Sequence, residues 1–181
     1  MVNSRVISRA DGRRIVEQLG LEPIPVEGGL FRQTWRLVAD EPIPAGTVLG
    51  TVIYAALTDD EDSFSAMHRL SEVEVWHFYA GDPVELTLLH PDGTIELPVL
   101  GPDVLDGQHP QVIVPIGTWM GGSLAPGGTF ALFGTTMTPG FTTGSFETGV
   151  REELIERWPA AADRITRLTR PGAPLRMPVD D

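Results

Sequence analysis

Residues 67–82 read MHRLSEVEVWHFYAGD and hold two of the chain's four histidines, two glutamates, an arginine and three aromatic residues. Histidine and glutamate brought together on neighbouring strands can ligate a metal, move protons, or sit as a paired polar layer in a core. Strand alternation puts Glu74, Trp76 and Phe78 on one face and Val75, His77 and Tyr79 on the other. His68 lies six residues before Glu74, and a hairpin brings the two together inside a barrel. They form the expected inward pair. His77 or Gln111 adds a third ligand only if that facing is reversed.

Two absences narrow the chemistry. The chain has no cysteine, which excludes thiolate catalysis, disulfides and Cys-ligated metals. It has no lysine either, so all 13 basic residues are arginine. A Schiff base and a phosphate-binding P-loop both need lysine and are excluded. A net charge of −12 argues against a nucleic-acid surface, which demands clustered cations. No apolar run approaches the ~20 residues of a membrane span, and the first residues lack the apolar core of a secretory signal. A cytoplasmic protein with a small-molecule ligand and no membrane or nucleic-acid partner is expected.

The elements that must position the pair follow from pattern. Residues 8–19 read as an amphipathic helix capped by Ser8 or Asp11 and ended by Gly20. LEPIPVEGG is punctuated by prolines and glycines. Strands are predicted at 30–38, 47–57, 63–69, 73–80, 84–90, 94–100, 110–115, 118–124 and 129–137, with Pro-Asp-Gly at 91–93 as a hairpin turn. So many strands with no helices between them imply an antiparallel sandwich or barrel. From about 146 the period returns to helix, through FETGVREELIERW and AAADRITRLT, before a loose tail. The parts are an N-terminal helix (1–20), a barrel (21–145) and C-terminal helices with the tail (146–181), one domain overall.

Other candidates read as ordinary structure. His90 precedes the hairpin turn and is expected to be exposed, and His109 sits in a loop. Asp59-Asp60-Glu61-Asp62 lacks the spaced ligands and the glycine of an EF-hand. The glycine pairs at 121–122 and 127–128 lack the strand–helix context of a phosphate site.

The same residues resemble a known pattern. The first motif of the cupin superfamily reads G-x5-H-x-H-x3/4-E-x6-G. His68 matches its first histidine, Glu74 its glutamate and Gly81 its closing glycine. Pro115 and Gly117 in PIGTWM match the second motif, P-x-G-x2-H. GGLFRQTWR, TVIYAALT, HRLSEVEVWHFYAGDPVEL, PQVIVPIGTWMGG and MTPGFTTGSFE together resemble the cupin_5 (DUF985) family from about Leu21 to Thr169. The resemblance implies a mainly β fold, a double-stranded β-helix or cupin jelly-roll barrel (RmlC-like), often homodimeric.

The sequence departs from the metal-binding pattern. Leu70 stands at the second histidine of motif one, Met120 at the histidine of motif two, Val73 where Asp is common, and Gln33 in a Phe-Arg-Glu-Thr segment. Only His68 and Glu74 remain as metal ligands, against a usual minimum of three. No cofactor is favoured, with a divalent metal held by His68 and Glu74 as the alternative. By alternation, Trp76, Phe78 and Met120 line the cavity, Gln111 and Tyr54 offer polar contacts, and Arg32 anchors an anionic group. The favoured function is acid/base proton transfer on a small, sugar-like or natural-product metabolite, of isomerase, epimerase or cyclase type. His68 is the acid/base and Glu74 orients it. Alternatives are a metal-dependent oxygenase or isomerase and a non-catalytic ligand-binding module.

Overall fold

The computed structural model describes residues 7–40, 43–44 and 46–178. Residues 1–6 of the N-terminal segment and the last three of the tail lie outside the described residues.

Helix α1 (Arg9–Leu19) starts at Ser8, whose hydroxyl accepts from the Asp11 amide, and closes at Gly20. Among the described residues the chain then forms twelve strands: β1 (Glu22–Pro23), β2 (Leu30–Val38), β3 (Val48–Thr58), β4 (Ser65–Leu70), β5 (Glu74–Gly81), β6 (Val84–Leu89), β7 (Ile95–Glu96), β8 (Val99–Leu100), β9 (Gln111–Val114), β10 (Trp119–Leu124), β11 (Phe130–Met137) and β12 (Phe146–Thr148). Helices α2 (Arg151–Arg157) and α3 (Ala162–Arg167) follow.

The strands build two antiparallel sheets. One runs β1-β2-β3-β11-β5-β9; the other runs β12-β4-β10-β6-β7, with β8 also on β6. Sequence-distant strands become neighbours, as when β11 lies between β3 and β5. This is a jelly-roll β-sandwich. Its main core lies between the sheets, where Leu57, Trp76, Leu86, Leu88, Val114, Met120, Phe133 and Phe146 are buried. Alternation explains the membership: Val112 and Val114 point inward, whereas Gln111 and Ile113 are exposed.

The outer faces are treated differently. Helices α2 and α3 cover the second sheet, packing Leu154, Trp158, Ile165 and Leu168 on Met67, Leu89 and Trp119. On the first sheet α1 covers one end, above Ala56 and Phe130. Beyond it Trp35, Leu37, Val38 and Ile113 are exposed. Strand β1 pairs only with Leu30 and Phe31, which leaves the remainder of that edge of β2 without a strand neighbour among the described residues.

Three elements differ from the sequence expectation. The run 94–100 splits into β7 and β8, because Leu97-Pro98 interrupts the ladder and proline has no amide to donate. Residues 146–148, expected to be helical, form β12 on the edge of β4, and helix begins only at Arg151. The 63–69 strand starts at Ser65, since Ser63 closes a turn onto the Asp60 carbonyl.

Candidate functional site

His68 sits on β4 in the second sheet, paired across strands with Met120 on β10 and Thr148 on β12. Its imidazole is buried and stacks on Phe146, with centroids 5.2 Å apart. Nδ1 lies 2.7 Å from the Ala66 carbonyl oxygen. A carbonyl only accepts, so Nδ1 carries a proton and donates it there. That leaves Nε2 as the basic ring nitrogen, 4.0 Å from Oε2 of Glu27.

Glu74 opens β5 on the facing sheet. The Trp76 indole donates to its Oε2 at 2.8 Å, and the Thr135 hydroxyl also hydrogen-bonds the carboxylate. Trp76 is held in turn by stacking on Phe133, 4.9 Å between centroids. Burial is the largest influence on Glu74 and pushes its pKa up to about 6. The neighbouring Glu27 charge pushes the same way, while His68 and the two hydrogen bonds pull it down. A buried carboxyl of this kind exchanges protons near neutrality.

Glu27 completes the group, and residue pattern alone did not single it out. It stands in the loop at 24–29, between β1 and β2. Its Oε1 accepts from the Ser65 hydroxyl at 2.8 Å. Its carbonyl accepts from the Ala66 amide at 2.9 Å and from Nη1 of Arg170 at 2.6 Å. The Glu27 amide donates to the Pro25 carbonyl at 2.6 Å around Val26, whose φ is 65°. That is a γ-turn of the rare strained kind, made rarer by a β-branched residue. Gly28 follows at φ 90°, with the Arg170 guanidinium where a Cβ would stand. The only sequence signal was an acidic residue followed by two glycines in a proline-rich turn.

Glu27, Ser65, Glu74, Trp76 and Thr135 line a cavity of about 30 Å³ together with apolar residues of the first sheet. This is room for roughly one water. Ile24, Gly28, Gly29 and Leu30 complete its wall beside Glu27.

The other expected residues are distributed. Trp76 lines the cavity, whereas Met120 and His68, paired on neighbouring strands, are buried in the core and are not among its lining residues. Phe78 packs at the margin of the core and lines the open groove beside α1 rather than the cavity. Tyr54 alternates with the inward Ile53 and Ala55, so it faces outward, edge-on to Tyr79. Gln111 also faces outward and reaches Nδ1 of His77, whose Nε2 meets Thr136 at 3.0 Å. Desolvation lowers the His77 pKa. Arg32 does not reach the cavity; its Nη1 donates to the Leu19 carbonyl at the end of α1. His90 is half-buried between Thr118 and Glu96 rather than exposed. The backbone of His109 bridges Leu100. The acidic run is a surface turn in which Asp59 pairs with Arg9.

The family model of Cupin_5, described as Cupin superfamily (DUF985), matches residues 13–149. The chain belongs to this cupin family. Among solved structures, protein SO0799 from Shewanella oneidensis is 32% identical, covering 87% of this chain and 96% of its own, with a TM-score of 0.77. A hypothetical protein from Leishmania major is 27% identical over 87% and 97%, with a TM-score of 0.75. Oxalate decarboxylase from Bacillus subtilis shares the fold at 16% identity and a TM-score of 0.52, over 89% of this cupin and 40% of its own chain. No curated protein matches the chain. Among the described residues no helix is long and apolar enough to cross a membrane.

The cupin fold raises the matter of a metal, and this donor set does not fit one. Buried Leu70 and Met120 occupy two of the motif positions, and Glu74 is engaged by an indole N–H. Among the described residues no three His, Cys, Asp or Glu side chains are placed to hold an ion. Gly81, the closing glycine of the motif, serves the backbone. At φ 94° it lies against the Phe130 carbonyl, leaving no space for a Cβ.

Proposed function

We propose that this cupin is an enzyme that moves protons on a small organic metabolite, in the manner of an isomerase, epimerase or cyclase. The observation that carries the reading is the His68 imidazole. Its Nδ1–H is fixed on the Ala66 carbonyl, its Nε2 lies 4.0 Å from Oε2 of Glu27, and it interacts electrostatically with Glu74. In the forward direction Nε2 takes a proton from the substrate and Glu74, in its acid form, gives one at a second position. The imidazolium then returns its proton to Glu74, and the cycle closes without net uptake. Neither oxidant nor metal is required for this balance.

A metabolite of several heavy atoms does not fit in about 30 Å³. Substrate entry on this reading moves the wall formed by residues 24–30. Proton transfer is tested without knowing the reaction direction. The protein is incubated in D2O with small hydroxy- and oxo-compounds, and deuterium wash-in is followed by NMR. Wash-in that disappears in His68→Gln supports the reading; equal wash-in in that variant defeats it.

We also propose a homodimer, with a second copy over the outer face of the first sheet. The exposed Trp35, Leu37, Val38 and Ile113 and the open edge of β2 support it, because long open edges are normally paired or covered.

A further inference from the structure

The cavity carries acids, and none of its described lining residues is basic. Glu27 and Glu74 both line it, with the Ser65 and Thr135 hydroxyls beside them. Among the described residues no arginine lines it. Arg170, bound to the Glu27 backbone, spends its guanidinium on the carbonyls of Glu27, Asp62 and Phe64 and lies 3.8 Å from the Phe64 ring centroid. Arg32 is tied to the end of α1, and Arg69 pairs with Glu147 over Trp119. The chain has no lysine that could stand in for them.

An ionised carboxylate is an acceptor only. A molecule entering this space meets acceptors that ask for O–H or N–H hydrogens. A carboxylate or phosphate meets like charge in a medium that screens poorly, and the guanidinium behind Gly28, that of Arg170, is already engaged by backbone carbonyls and by the Glu27 charge. Ser65 occupies Oε1 of Glu27, whereas the only contact described at Oε2 is the 4.0 Å approach of His68. The Glu27 carbonyl is fixed from two sides, so the carboxylate is presented rather than loosely placed.

We propose that Glu27 is a third ligand-contacting residue of this site. The site takes small uncharged or cationic molecules that carry hydroxyl or ammonium hydrogens, and it rejects carboxylates and phosphates. This rests on the reading of the cavity as the functional site, but not on its chemistry being proton transfer.

The Trp76 indole N–H, bonded to Glu74, reports on occupancy. Protein labelled with 15N at its four tryptophans is titrated near neutral pH with ethanolamine, ethylene glycol, glycolate and inorganic phosphate, with the Trp76 signal assigned through Trp76→Phe. With the wall at residues 24–30 displaced to admit them, ethanolamine and ethylene glycol shift that signal saturably, and glycolate and phosphate leave it in place. Glu27→Gln weakens ethanolamine binding by roughly tenfold or more, as expected for loss of a charged hydrogen-bond acceptor, and Glu27→Asp recovers part of it. Glycolate or phosphate binding as well as ethanolamine overturns the proposal. So does unchanged affinity in Glu27→Gln, a Trp76 signal that no probe moves, or bleaching of that signal by micromolar Mn2+ through direct ligation. His68→Gln separates the two ideas: it abolishes deuterium wash-in if proton transfer is correct, and it still binds ethanolamine if the role given to Glu27 is correct.

Discussion

The indole of Trp76 donates to the carboxylate of Glu74, two residues earlier on the same strand and the same face. The bond holds a buried acid in place and gives it a partner for its charged form. It does not fully offset the burial, and the pKa still rises to about 6.

That shift makes stability fall with rising pH. The unfolded chain holds the Glu74 proton only to about pH 4.5, its ordinary value, and the folded chain holds it to about 6. Below pH 4.5 both states are protonated and the group costs nothing. Between 4.5 and 6 the folded state loses ground, and above 6 the full cost of the buried charge remains, on the order of 2 kcal/mol. Glu74→Gln keeps shape and an acceptor for the indole without the charge. It is expected to raise the melting temperature at pH 8 and to leave it nearly unchanged at pH 4. A difference of equal size at both values contradicts the assignment.

His68→Ala should separate chemistry from folding. It removes the imidazole from Phe146 and leaves a small cavity, at a cost of about 1–3 kcal/mol. The sheets should survive, as judged by circular dichroism, while deuterium wash-in falls to background.

Gly28→Ala strikes the wall of the cavity. The position combines φ 90° with a Cβ site taken by Arg170 and the Phe64 carbonyl. Loss of about 2 kcal/mol or more is expected in urea unfolding, from left-handed strain plus the displaced guanidinium. A neutral result would show that the clamp on Glu27 does not hold in solution.

Trp35→Glu places a charge on the uncovered face of the first sheet. If a second copy sits there, light scattering should show a mass near 19.6 kDa for the variant and twice that for the parent protein. A parent protein that is monomeric throughout removes the homodimer proposal.

Much of the sandwich was readable because strands half-buried on one face alternate. Residues 111–114 and 74–77 show it plainly, and Gly81 and the prolines mark the ends. Proline-interrupted β7 and β8 were not separable by period alone. Strand β12 was masked by the helical pattern that starts only three residues after it. The facing of Tyr54 follows from Ile53 and Ala55, once the register against β11 is known. Glu27 was not readable from pattern, because its place in the site depends on a γ-turn and on partners at Ser65 and Arg170, far along the chain. Leu70 and Met120, by contrast, were legible at once as apolar residues at two motif positions, and both are buried in the core.

The clamp on Glu27 joins residues 143 positions apart. On a ribosome, both sheets can be synthesised and emerge before Arg170 is available. The barrel can therefore assemble with its cavity wall still unfastened, and the site is completed only once Arg170 has emerged. A ribosome that stops just short of Arg170 would release a chain with all the described strands present and this fastening missing.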